Sequence, residues 1–181
     1  MIGFRLNKFF SCGIVVFTTG IHAQRLRFPH QRFFYYLGIE KTFDQLGENN
    51  FYFTPDNDCN SISIIIQHMH GNMLSRWTNF LTDDGEKSWR KRDEEFEEGT
   101  LTKNELMKLW EEGWGCCLKA LKNLEAGDLE KTIYIRQQPL AVTEAIHRQI
   151  AHYSYHVGQI IYIGKMLRKE RWTNLSMPKN K

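Results

Sequence analysis

At 181 residues the chain is long enough for one ordinary domain, with a buried core that needs no covalent staples. Its 41% apolar and 25% charged residues give the profile of a soluble globular protein. The formal net charge of +3 is unevenly spread: residues 1–32 hold five Arg and Lys and no acid, which leaves −2 on the rest and no electrostatic case for binding nucleic acid.

Residues 1–30 differ in character from the rest of the chain. Residues 1–8 carry two positive charges, residues 9–21 are mostly apolar, and Ile21-His22-Ala23 ends like a cleavage site. That is the layout of a secretory signal. The apolar run is shorter than the about 20 residues a helix needs to span a bilayer. Two readings stay open. One is a true signal peptide over residues 1–23, which would export the protein. The other is a non-native or mis-started extension on a cytoplasmic protein. Gly13, Thr18, Thr19 and Gly20 weaken the apolar run, and cleavage would leave an odd count of three cysteines. Either way the fold is expected to begin after residue 30.

From residue 31 to residue 46 the pattern is helical. Phe33, Leu37, Phe43 and Leu46 suit a buried side, Glu40, Lys41 and Asp44 a wet one, with Pro29 at the start and Gly47 at the stop. Asn, Asp and Pro then mark a loop. A second helix is expected from a cap at Asn60 or Ser61 to about Leu81, its stripe formed by Ile62, Ile65, Ile66, Met69, Met73, Trp77 and Phe80. Residues 83–99 form a long, densely charged connection, and such connections are often functional. Trp89 and Phe96 within it need somewhere to pack, and a lid or a solvated surface loop would satisfy the pattern equally. Thr102 and Glu105 have the spacing of a capping box and open a third helix, which runs to a stop at Gly127. Gly113 and Gly115 inside it cost about 1 kcal/mol each against Ala, and close approach of a neighbouring helix would explain them. Ile133-Tyr-Ile suggests a short extended piece. Pro139 suits the first turn of a fourth helix through Val142, Tyr153, Val157, Ile160 and Leu167. The residues from Trp172 onward read as a tail. Four helices, little strand signal and no repeat predict an all-α four-helix bundle.

His152 and His156 lie at i and i+4 on the fourth helix, about 40° apart and on one face. Two imidazoles so placed can grip one metal ion. A catalytic Zn2+ commonly takes three protein ligands and keeps a position open. Of the other histidines, only His68 lies well inside an apolar helical stripe. His70 points about 200° from His68, and His147 about 140° from His152. The alternative is a neutral, hydrogen-bonded core histidine, with Tyr155 or Asn72 as partner. No HExxH is present, so a metalloprotease would lack its general base. The four cysteines, Cys12, Cys59, Cys116 and Cys117, show no CxxC. Small apolar residues of a reducing compartment are the expectation, and a redox or thiol-transfer role the alternative.

Three separated stretches, Ile64-Ile-Ile-Gln-His-Met-His-Gly-Asn-Met, Asp83-Asp-Gly-Glu-Lys and Arg148-Gln-Ile-Ala-His-Tyr-Ser-Tyr-His-Val-Gly-Gln-Ile160, resemble in order the DinB-like superfamily, in particular a bacterial branch of unknown function. The resemblance covers about residues 31–178. It implies a four-helix bundle, usually dimeric, with a three-histidine site for a divalent metal such as zinc or nickel, whose ligands fall on His68, His152 and His156. Relatives in that superfamily are thiol S-transferases using bacillithiol or mycothiol, and a mycothiol-dependent isomerase. The sequence departs from the superfamily at its front, where Pro29 and the leader occupy the place of the first helix's start.

The domain layout expected is a leader over residues 1–30, a DinB-like bundle over 31–172 and a tail over 173–181. The function expected is a metal-dependent enzyme of thiol S-transferase or hydrolase type, with a low-molecular-weight thiol as a candidate cofactor and a small molecule as substrate. Trp89, Arg90 and Arg92 are the candidate substrate contacts. The rival is a non-catalytic dimeric bundle, a stress-response or binding module, whose metal site is structural or vestigial.

Overall fold

The computed structural model describes residues 39–175. The expected leader over residues 1–30, residues 31–38 of the first expected helix and residues 176–181 of the expected tail lie outside the described residues. The described part is mostly helical: α1 (Ile39–Asp44), α2 (Ile62–Trp77), α3 (Lys103–Lys122) and α4 (Val142–Arg168). One small antiparallel pair, β1 (Thr132–Ile135) and β2 (Gln138–Ala141), lies between α3 and α4. No helix among the described residues is long and apolar enough to cross a membrane.

The helix starts follow from local chemistry. Ser61 Oγ accepts from the Ile64 amide and caps α2. Thr102 and Glu105 bond each other's backbone reciprocally, the capping box the spacing predicts. From these starts the apolar stripes turn inward. Ile62, Ile65, Ile66, Met69, Met73 and Trp77 of α2 are buried against Leu106, Trp110, Trp114 and Cys117 of α3 and Val142, Tyr153, Val157 and Ile160 of α4. Each such large side chain contributes about 1.5–3 kcal/mol of burial. The structure also answers the cysteine question in part. Cys117 is buried and burial pushes its thiol well up, which keeps it protonated and inert, while Cys59 is exposed.

Three element boundaries differ from expectation. The second helix ends at Trp77 rather than near Leu81, because Asn79 adopts a positive φ of 50°; Phe80 still packs on Trp77, so the apolar stripe outlasts the helix. The third ends at Lys122, well before Gly127. Pro139 lies in β2 opposite Tyr134, not in the first turn of α4. The β1–β2 turn places Arg136 and Gln137 at φ 53° and 62°, a conformation that disfavours side chains. Asp84 offsets the strain by accepting both their amides, at 2.8 and 2.7 Å. Glu86 adds bonds from Arg136 and from buried Arg76. The Asp83-Asp-Gly-Glu-Lys stretch therefore ties the hairpin to the end of α2.

The two glycines of α3 differ. A Cβ on Gly113 would lie 3.1 Å from Met73 Sδ and 3.3 Å from His70 Cα, so α2 and α3 approach closely there, whereas a Cβ on Gly115 would meet nothing within 4 Å. Gly115→Ala should therefore stabilise the protein by up to about 1 kcal/mol in urea denaturation, and Gly113→Ala should not.

Candidate metal centre

His68 projects from α2, and His152 and His156 from α4. A buried chain positions the two helices: Trp77 Nε1 donates to Tyr153 Oη at 2.8 Å, and Tyr153 Oη donates to Asn72 Oδ1 at 3.2 Å. Tyr153 and Asn72 are each one residue or one turn from a histidine, so this chain sets the spacing of the imidazoles. Asn72 and Tyr155, the alternative partners for a lone core histidine, bond none of the three. Tyr155 instead accepts from Gln159 Nε2.

The three rings meet at their Nε2 atoms. His152 Nε2 lies 3.3 Å from His68 Nε2 and 3.0 Å from His156 Nε2. The far nitrogens are engaged elsewhere: His68 Nδ1 is 3.0 Å from Glu95 Oε2, and His156 Nδ1 is 2.8 Å from Gln159 Oε1. A carboxylate and an amide oxygen can only accept, so both Nδ1 atoms carry the proton and both Nε2 atoms present lone pairs. Those lone pairs face the single Nε2 of His152. Three nitrogens about 2.0–2.1 Å from one tetrahedral ion stand about 3.3 Å apart, close to the spacing seen. The trio is the group among the described residues that could hold a metal ion.

For His152 and His156 the electrostatics favour the neutral, ligating form. Burial, then His156 and His68, push the His152 pKa down to about 4, and burial lowers that of His156. His68 and His156 are buried and His152 is half-buried, which makes His152 the open side of the trio. Phe96 packs on the His68 ring with centroids 4.7 Å apart.

The other histidines stay apart. His70 bonds Glu112 at 2.9 Å on the surface side of α2, and His147 is exposed. The charged connection folds onto α2 through Glu98 on Ser61 and Ser63, and through Gln67 on the Glu97 carbonyl. Of its three candidate substrate contacts, Trp89 is 54% exposed and Arg92 lies half exposed over the Phe96 ring. The Arg90 side chain is buried and spends its guanidinium on Glu95 and Glu86. Trp89 and Arg90 line a shallow cleft with Gln67, His70 and Glu94, and none of the three clustered histidines lines it. Two site residues escaped the sequence reading. Gln159 stands three residues beyond His156, a spacing that brings helical side chains together, and so carried a signal. Glu95 is one of several acids in its run, and nothing local marks it.

A family model described as a protein of unknown function (DUF1572) matches residues 22–181, most of the chain. No curated protein and no solved structure matches it.

Proposed function

The chain belongs to the DUF1572 family of proteins of unknown function, and from that footing we propose that it is a divalent-metal-dependent enzyme of thiol S-transferase or hydrolase type, built as a DinB-like four-helix bundle. His68, His152 and His156 would hold one ion, zinc or nickel. The observation that carries the reading is the meeting of three Nε2 atoms whose ring partners on His68 and His156 are already committed to Glu95 and Gln159.

A divalent ion bound there supplies Lewis acidity, drawing electron density from an oxygen or sulfur of a small molecule. The residues set the terms of that chemistry. Three neutral imidazoles cancel none of the charge they surround, whereas thiolate or carboxylate ligands would. His68 and His156 wall the trio from inside, and half-buried His152 leaves the approach for a small molecule. Arg92, on the Phe96 ring that itself covers His68, is assigned to an anionic substrate or thiol cofactor, with Trp89 offering an apolar face. A homodimer, a cytoplasmic location and a small-molecule substrate rather than nucleic acid belong to the same proposal and rest on the resemblance and the charge.

Elemental analysis of the purified protein should find about one divalent ion per chain. Transfer of a low-molecular-weight thiol to an electrophile should run above background and fall to background in His68→Ala. Equal rates in the two proteins would remove the transferase reading, and a metal-free wild type that takes up no added ion would remove the site.

A further inference from the structure

Behind His68 stands a carboxylate held too firmly to be incidental. We infer that Glu95 is a positioning residue of the centre: it fixes the proton of His68 on Nδ1, turns the bare Nε2 toward His152, and sets how strongly His68 donates. The inference rests on reading His68, His152 and His156 as metal ligands.

The hold on Glu95 comes from two directions. Arg90 forks onto it, Nε to Oε1 and Nη2 to Oε2, each at 2.7 Å, with the Arg90 side chain only 2% exposed. Such a bidentate pair fixes the plane of the carboxylate. From the front, Gly71 of α2 gives it room. A Cβ at Gly71 would fall onto Glu95 Oε1 and come within 2.7 Å of its Cδ. Glycine inside a helix costs about 1 kcal/mol against Ala, and here the carboxylate occupies the space that glycine leaves. Glu95 Oε2 is thus presented to His68 Nδ1 at 3.0 Å with little freedom to turn away.

The consequence is an unequal trio. His68 is backed by a negative charge, whereas His156 is backed by the neutral amide of Gln159. A carboxylate on the far nitrogen raises the basicity of the ligating one, and loss of such a partner typically weakens metal binding about 10- to 100-fold. The charged connection is in this way part of the centre, through Glu95, although none of its side chains joins the three nitrogens.

The test uses Co2+ alone as the probe on the full chain, with affinity read by chelator competition and ligand state by visible absorption and the shifted ring N–H resonances. Glu95→Ala should weaken Co2+ binding about 10- to 100-fold and move the His68 N–H signal. Glu95→Gln keeps an accepting oxygen without the charge and should recover part of the affinity. Gly71→Ala touches no ligand, yet should shift the same signal by displacing the carboxylate. Should the alanine variants fail to fold by circular dichroism, the nearly isosteric Glu95→Gln decides from its spectrum. Wild-type affinity and an unchanged spectrum in the folded Glu95 variants would overturn the inference while leaving the metal reading intact. A wild type that binds no Co2+ would bring down both.

Discussion

His152→Ala should lose tight metal binding, with affinity for a divalent ion falling roughly 100- to 1,000-fold, while the helices stay folded. His152 Nε2 lies 3.3 and 3.0 Å from the Nε2 atoms of the other two rings. Without it His68 and His156 face each other across a gap with no third donor. Histidine and cysteine sites of three or four ligands bind Zn2+ with apparent free energies of about 10–16 kcal/mol, so one ligand is worth roughly 3–4 kcal/mol, or two to three powers of ten in affinity. The fold should tolerate the change, since His152 is half-buried and its ring nitrogen bonds the other two imidazoles rather than the apolar core. In acid the metal-free variant should even do better. The His152 pKa, about 4 in the folded protein against an ordinary 6.5, makes the unfolded chain bind the proton first. The metal-free wild type therefore loses part of its stability as pH falls from about 6.5 to about 4, and the alanine variant is spared that loss. Metal titration and the urea midpoint as a function of pH measure the two effects. Unchanged affinity would remove His152 from the site.

The features legible in the sequence were those that neighbouring residues determine. Ser61 and Thr102 announce their helices because a cap and its amides lie within one turn. His152 and His156 announce a shared face for the same reason, and the stripe on α2 places His68 inside. The positions misread depend on contacts between distant residues. Pro139 fits a helix start by local rules, but Asp84 clamps the Arg136–Gln137 turn from across the molecule and makes the segment a hairpin. Phe80 prolongs the apolar period of α2 past its end because the chain turns back and still buries the ring. Gly113 and Gly115 look alike in the sequence, yet only Gly113 faces α2 closely. Glu95 is the clearest case. Glu94, Glu97 and Glu98 surround it with the same chemistry, and its distinction comes from Arg90, Gly71 and His68, which meet only once the connection is laid on α2.

Arg90→Ala should destabilise the protein by about 3 kcal/mol, a structural loss at a residue whose sequence context suggested substrate contact. The Arg90 side chain is 2% exposed and pairs with Glu95, itself 10% exposed, and with Glu86 at 3.6 Å. Removing one member of a buried pair leaves an uncompensated charge and costs about 3–5 kcal/mol. The lower end applies because Glu86 is partly solvated and keeps Arg76 and Arg136. The cost should depend on pH in a definite sense. Burial pushes the Glu95 carboxyl up, but Arg90 and His68 together hold it below the ordinary carboxylate range. Its stabilisation is present above that range and lost as pH falls from it down through the lower value of the folded protein. Without Arg90, burial prevails and the carboxyl takes up its proton at higher pH. The gap between wild type and variant should thus be widest near neutral pH and close in acid. Adding Glu95→Gln to Arg90→Ala removes the stranded charge and should recover part of the loss, since residues in one network do not act additively. Urea denaturation of the two single variants and the double variant at pH 7 and pH 4 reads all of this. A substrate-binding Arg90 would instead leave stability untouched and raise KM, and that outcome would return the guanidinium to the role its place in the charged run first suggested.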